Sequence, residues 1–168
     1  MSTLKVNTLQ NTSGTAYDFV KQVVQATKTD TFSTTSTSFT DVTGLSVSIT
    51  PSSTSSKILV LFNVSASSTS SASVAFTLLR GSTEIFIGDA ASSRTRATTG
   101  SHSCRVHGNS NFAVQFLDSP STTSSVTYKI QAQAQSGFTA FVGRTSDDNN
   151  SVQYLRVPST ITVMEVAA

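Results

Sequence analysis

The clearest hydrophobic pattern in the chain is the alternation of Val126, Tyr128, Ile130, Ala132 and Ala134 with Thr127, Lys129, Gln131, Gln133 and Gln135. A period of two sends successive side chains to opposite faces, so this segment predicts a strand with an apolar inner face and a polar outer face that meets water or a wet interface. Leu45, Val47 and Ile49 alternate in the same way with Ser46, Ser48 and Thr50, and Pro51 with its Ser/Thr run closes that strand. Ile58-Leu59-Val60-Leu61-Phe62 is apolar at every position, which predicts a central strand covered on both faces. Val74, Phe76 and Leu78 lead into Arg80-Gly81-Ser82-Thr83 and out through Glu84-Ile85-Phe86-Ile87, a hairpin whose turn needs the backbone freedom of Gly81.

Phe112, Val114 and Phe116 give a further strand face. Ile161, Val163 and Glu165, set against Thr162, Met164 and Val166, end the chain in a strand. Nearer the start, Leu4 to Gln10 is a short extended stretch closed by the turn-like Asn11-Thr12-Ser13-Gly14. Residues 15–21 read as a connector or one helical turn, with strand beginning at about residue 22. Eight to ten short strands separated by turn-rich loops imply an all-β sandwich or jelly roll. The expected organisation is an N-terminal segment over 1–21 and one head domain over 22–168.

Composition sharpens the picture. About a third of the 168 residues are Ser or Thr, whereas Lys, Arg, Asp and Glu supply only 12%, half the usual share. The hydrophobic fraction of 37% is low, but the net charge is +2 and ten Phe fall into periodic runs, so the chain reads as folded with a lean core completed by self-association. Eleven scattered basic residues give a thin footprint for a phosphate backbone, so nucleic acid is not an expected partner. No stretch is long and apolar enough to span a bilayer as a helix. The opening residues lack the apolar centre of a signal peptide, so synthesis in the cytosol is expected. With Cys104 the single cysteine, stability must come from packing.

Candidate chemistry is sparse. His102, Cys104 and His107 form the one local group of metal-type ligands, but on a strand His102 and Cys104 would share one face and His107 the other. Asp147-Asp148-Asn149-Asn150 offers oxygen ligands without the spacing of a calcium loop, and reads as a solvated turn. Glu84, Asp89 and Asp118 stand at strand ends rather than as the paired carboxylates of a glycosidase. No G-x-S-x-G, phosphate-cradling glycine loop or C-x-x-C occurs. The reading is of a protein that is not an enzyme, with no cofactor and no metal. Phe62, Phe76, Phe86, Phe112 and Phe116 are expected in the core, while Phe138, Phe141 and Tyr154 lie near loops, where they would cover a subunit seam or stack on a sugar.

Ser2-Thr3-Leu4-Lys5-Val6-Asn7-Thr8-Leu9-Gln10, followed by Thr12-Ser13-Gly14, resembles the N-terminal segment of small fibre-like proteins of tailed bacteriophages. The stretches Thr31 to Val42, Leu78-Leu79-Arg80-Gly81-Ser82-Thr83-Glu84-Ile85 and Ile161 to Val166 are similar to their C-terminal heads, jelly rolls of the kind shared with the tumour-necrosis-factor and C1q families. The resemblance implies a homotrimer in the virion, docked on other virion proteins through Leu4, Val6 and Leu9. It also implies loops at one end of the roll that meet a host receptor, often a glycan. Arg94, Arg96, His102, Arg105 and His107, with Asp147, Asp148 and Asn149, are the loop residues in question. The absence of a long shaft favours a short knob or head-attached fibre over an extended tail fibre. A capsid decoration or adaptor without a receptor is the alternative, and a polysaccharide depolymerase stands far behind both.

Overall fold

The computed structural model describes Ser13 and residues 19–167. Its strands are β1 (Val20–Lys28), β2 (Phe32–Thr34), β3 (Thr40–Ile49), β4 (Lys57–Ser68), β5 (Val74–Arg80), β6 (Thr83–Ile85), β7 (Thr99–Ser101), β8 (Ser110–Asp118), β9 (Val126–Ala134), β10 (Ala140–Val142) and β11 (Ser159–Val166). They form two antiparallel sheets. The first runs β1-β11-β4-β8, with β10 and β2 continuing it beside the far end of β4, and the second runs β3-β9-β5, with β6 and β7 side by side on the edge of β5. The pairing is nested: β1 with β11, β3 with β9, β4 with β8 and β5 with β6. The chain is thus an all-β sandwich.

Alternation explains most of these elements. In β9, Tyr128, Ile130, Ala132 and Ala134 are buried and the intervening Lys129, Gln131 and Gln133 face outward, as their period predicts. Opposite them, Val60, Phe62 and Val64 of β4 and Ile161 and Val163 of β11 close the core, with Phe76 and Phe112 in tilted contact at 5.2 Å between ring centroids. Each large apolar side chain so buried contributes roughly 1.5–3 kcal/mol. The β5–β6 hairpin turns where expected, with Arg80 opposite Thr83 and Gly81 at φ +61°.

Several expectations need correction. β4 is central, flanked by β11 and β8, but over the apolar run 58–62 only one of its faces is covered: Ile58, Val60 and Phe62 are buried, while Leu59 and Leu61 remain half-buried on the outside. Phe86 is not core. It follows β6 at φ +55°, is 48% exposed, and stacks on Phe116 at 4.8 Å. Phe141 is not a loop residue but the middle of β10, buried, with the Arg144 guanidinium 4.0 Å above its ring. Strand also begins at Val20 and Thr40, earlier than periodicity indicated.

Two buried polar clusters hold the ends of the sandwich. At one, Tyr128 Oη donates to Asp118 Oδ2 at 2.6 Å, and the Arg80 guanidinium reaches both oxygens of that carboxylate at 2.9 Å. Burial and the adjoining Asp118 push the Tyr128 phenol well above its ordinary range. At the other, Glu165 of β11 is fully buried and takes its hydrogen bonds from uncharged donors. Its Oε1 accepts from Ser52 N–H at 2.7 Å, Ser52 Oγ at 2.6 Å and Ser56 Oγ at 2.7 Å, and its Oε2 accepts from Gln22 Nε2 at 2.7 Å. Burial raises its pKa, but these four donors outweigh burial and leave it at about 2.

Beyond β10 the backbone turns at Gly143, whose φ is +80° and whose Cβ, if it had one, would stand 2.9 Å from the Asp30 carbonyl oxygen. Both the left-handed backbone and the immovable main-chain neighbour oppose a side chain here. Gly143→Ala is expected to cost about 2 kcal/mol, read as a lowered midpoint in urea unfolding, whereas Gly137→Ala, in open space, carries only the backbone part of that cost.

Candidate functional site

The outer face of the first sheet is where the chain departs from ordinary surface chemistry. Register sets Val23 of β1 beside Met164 of β11, Met164 beside Leu59 of β4, and Leu59 beside Leu117 of β8. An unbroken apolar row therefore crosses all four strands, with Val23 at 55% and Leu117 at 53% exposure. The next row is Gln25, Thr162, Leu61 and Gln115, and the one beyond it Thr27, Thr160, Asn63 and Ala113. None of these twelve residues is charged. A shallow depression of about 460 Å³ lies over Leu61, Asn63, Ala113, Gln115, Thr160 and Thr162. On its other side the apolar row borders Val166 and Lys57, and an apolar band edged mainly by uncharged polar groups is the composition of a protein interface.

The opposite sheet carries a different surface. Lys129 Nζ and Gln131 Nε2 donate to the two oxygens of Asp41 at 2.8 and 2.7 Å, and Ser48 and Thr127 hydroxyls share a hydrogen bond at 2.7 Å. The Lys129 and Gln131 bonds hold the Asp41 carboxyl below its usual pKa. This face presents amides and hydroxyls, of which Gln133 Oε1 and Thr77 Oγ1 have no partner among the described residues.

The loop residues singled out from the sequence separate into three groups. His102, Arg105 and His107 lie in the β7–β8 connection, which is irregular rather than extended. The expected sharing of a strand face by His102 and Cys104 is therefore wrong: His102 is exposed, whereas Cys104 is fully buried with its Sγ directed to the Ala66 carbonyl at 3.5 Å. Burial raises the Cys104 thiol pKa, as it does for an inert thiol. Asp147, Asp148 and Asn149 lie in the β10–β11 connection, and the structure brings this loop to the first, pairing His107 Nδ1 with Asp147 Oδ2 at 2.7 Å. Asp148 is held within its own connection by Arg156, at 2.6 and 2.8 Å, and by Arg144 at 3.2 Å. Asn149 is exposed.

Arg94 and Arg96 belong to the β6–β7 connection instead, where Arg96 Nε donates to the Gly88 carbonyl at 2.7 Å. Among the described residues, no group of three or more His, Cys, Asp or Glu side chains converges as a metal site would require. Leu4, Val6 and Leu9 lie outside the described residues. Sequence reasoning missed the apolar row, because its members sit more than a hundred residues apart in places and only register aligns them. No protein-family profile matches the chain, and no curated protein matches it in sequence.

Proposed function

We propose that the chain is a structural subunit of a tailed-phage virion, a short homotrimeric appendage docked by its N-terminal segment and displaying a jelly-roll head. The observation that carries the assembly is the row Val23–Met164–Leu59–Leu117, a solvent-facing apolar band across a sheet with two uncharged rows on one side of it and Val166 beside Lys57 on the other. Its burial against sister chains supplies the apolar area that a lean core lacks. The nested pairing of β1 with β11, β3 with β9, β4 with β8 and β5 with β6 supports the jelly-roll reading, since folding a long hairpin over on itself generates that order. The count of three, the docking segment and the virion setting follow from the resemblance to phage fibre heads.

Light scattering of the purified chain tests the assembly: a single species near three times the 17.6 kDa protomer is expected, and a folded monomer would overturn it. Retention of that species on host-surface carbohydrate separates an attachment knob from a decoration protein that only clamps its neighbours.

A further inference from the structure

We infer that Arg105, His107 and Ser71 form a binding site for an acidic saccharide, one carrying a carboxylate or sulfate. The inference deepens the attachment reading above and rests on it. The three residues line a shallow depression of about 420 Å³, together with Val106 and Gly108. Arg105 is exposed, and its guanidinium has no ion pair or hydrogen bond among the described residues. By contrast Arg80, Arg144 and Arg156 are all engaged with Asp118 or Asp148.

The backbone beneath this free cation is rigidly held. The buried Ser68 donates its N–H to the Arg105 carbonyl at 3.1 Å, and the neighbouring Cys104 is planted in the core with its N–H on the Ala72 carbonyl at 3.1 Å. Ser146 N–H donates to the Val106 carbonyl at 3.1 Å, and Asp147 fixes His107 at 2.7 Å. The opposite wall is strained: Ser70 and Ser71 both stand at φ 54°, a left-handed conformation unfavourable for a side-chain-bearing residue, with Thr69 tied to Thr139 in both directions at 3.1 and 2.9 Å. Strain retained by such a frame is a recurrent mark of ligand sites. Gly108 lies against the stem of Arg105, whose Cδ is 3.4 Å from where a Cβ would stand.

The chemistry favours an anion with hydroxyls around it. A guanidinium takes a carboxylate or sulfate through two parallel N–H donors. Ser71 can donate or accept, and with His107 Nδ1–H given to Asp147 the Nε2 atom is left to accept a sugar hydroxyl. Asp147 stays negative beside a neutral His107, so the anion is recognised by the paired N–H donors of the Arg105 fork rather than by a net positive field.

The experiment is a glycan array probed with the intact native assembly, containing uronic-acid, sialylated and sulfated oligosaccharides beside their neutral counterparts. Wild type is expected to retain acidic glycans, with retention falling as salt rises. Arg105→Ala should weaken it roughly tenfold or more, and Arg105→Lys should recover only part, having lost the bidentate fork. Lys129→Ala removes a cation from the outer face of the second sheet, away from these connections, and should leave binding unchanged. Unaltered native mass and circular dichroism confirm that each variant is folded and assembled. Retention of neutral glycans alone, insensitive to Arg105→Ala, overturns the acidic site and leaves the attachment reading standing. No retention of any glycan by a correctly assembled trimer overturns both.

Discussion

Glu165→Ala is expected to be the most destabilising single change in this chain, lowering the unfolding free energy by about 4 kcal/mol in urea melts at pH 7. The size follows from what the carboxylate organises. Four donors from β1 and the β3–β4 connection converge on it, and none has another acceptor at hand except Gln22, whose Nε2 also reaches the Thr50 carbonyl at 2.6 Å. Truncation leaves the buried Ser56 hydroxyl without its acceptor and unties the Ser52 turn from β11. Glu165→Gln should cost less, because its carbonyl keeps the three donors on Oε1. The new amide then faces the Gln22 amide, and flipping Gln22 sets its oxygen against Thr50 O.

The same cluster dictates a pH dependence. Folding lowers the Glu165 pKa from 4.5 to about 2, so the folded state holds the proton more weakly than the unfolded state. The associated stability is fully present above about pH 4.5 and is lost as pH falls toward 2, amounting to about 3 kcal/mol at 1.4 kcal/mol per unit. Glu165→Gln removes this component, so wild type and variant should converge in stability as pH drops through that window. Parallel pH profiles of the two would count against the account.

The second large effect concerns assembly rather than folding. Leu59→Lys should leave the protomer folded, because Leu59 lies on the outer face and its side chain is only half-buried in the isolated chain. In the proposed trimer three new ammonium groups would be buried without partners between Met164 and Leu117, each at a cost of several kcal/mol. Native mass should therefore fall to that of the 17.6 kDa chain, with circular dichroism unchanged. Ser48→Lys, on the hydroxyl face of the other sheet, is the matching control and should not dissociate the oligomer. An intact trimer bearing Leu59→Lys would place the interface elsewhere.

The sequence made the long strands readable and the short ones not. β9 and β11 alternate over eight or nine residues, enough for a period of two to stand out. Phe32-Ser33-Thr34, Thr99-Gly100-Ser101 and Ala140-Phe141-Val142 are too short to show any period, and they exist because a neighbouring strand offers them an edge. β4 misled for a related reason: an unbroken apolar run looks the same whether its second face is covered or open. Glu165 was legible as an inward position, yet nothing beside it in sequence marks its donors, which lie 109 to 143 residues away. His107 and Asp147 are likewise brought together across 40 residues by two connections at one end of the sandwich.

The amide and hydroxyl face built on β9 has a bearing on where such a protein can work. Its hydration rests mainly on Ser, Thr and Gln, with Lys129 and Asp41 already matched to one another. Dissolved ions screen charges but leave dipoles almost untouched. A surface solvated in this way stays wet and non-sticky from fresh water to brine, while the exposed guanidinium groups of Arg94 and Arg105, which have no carboxylate partner among the described residues, feel every change in salinity.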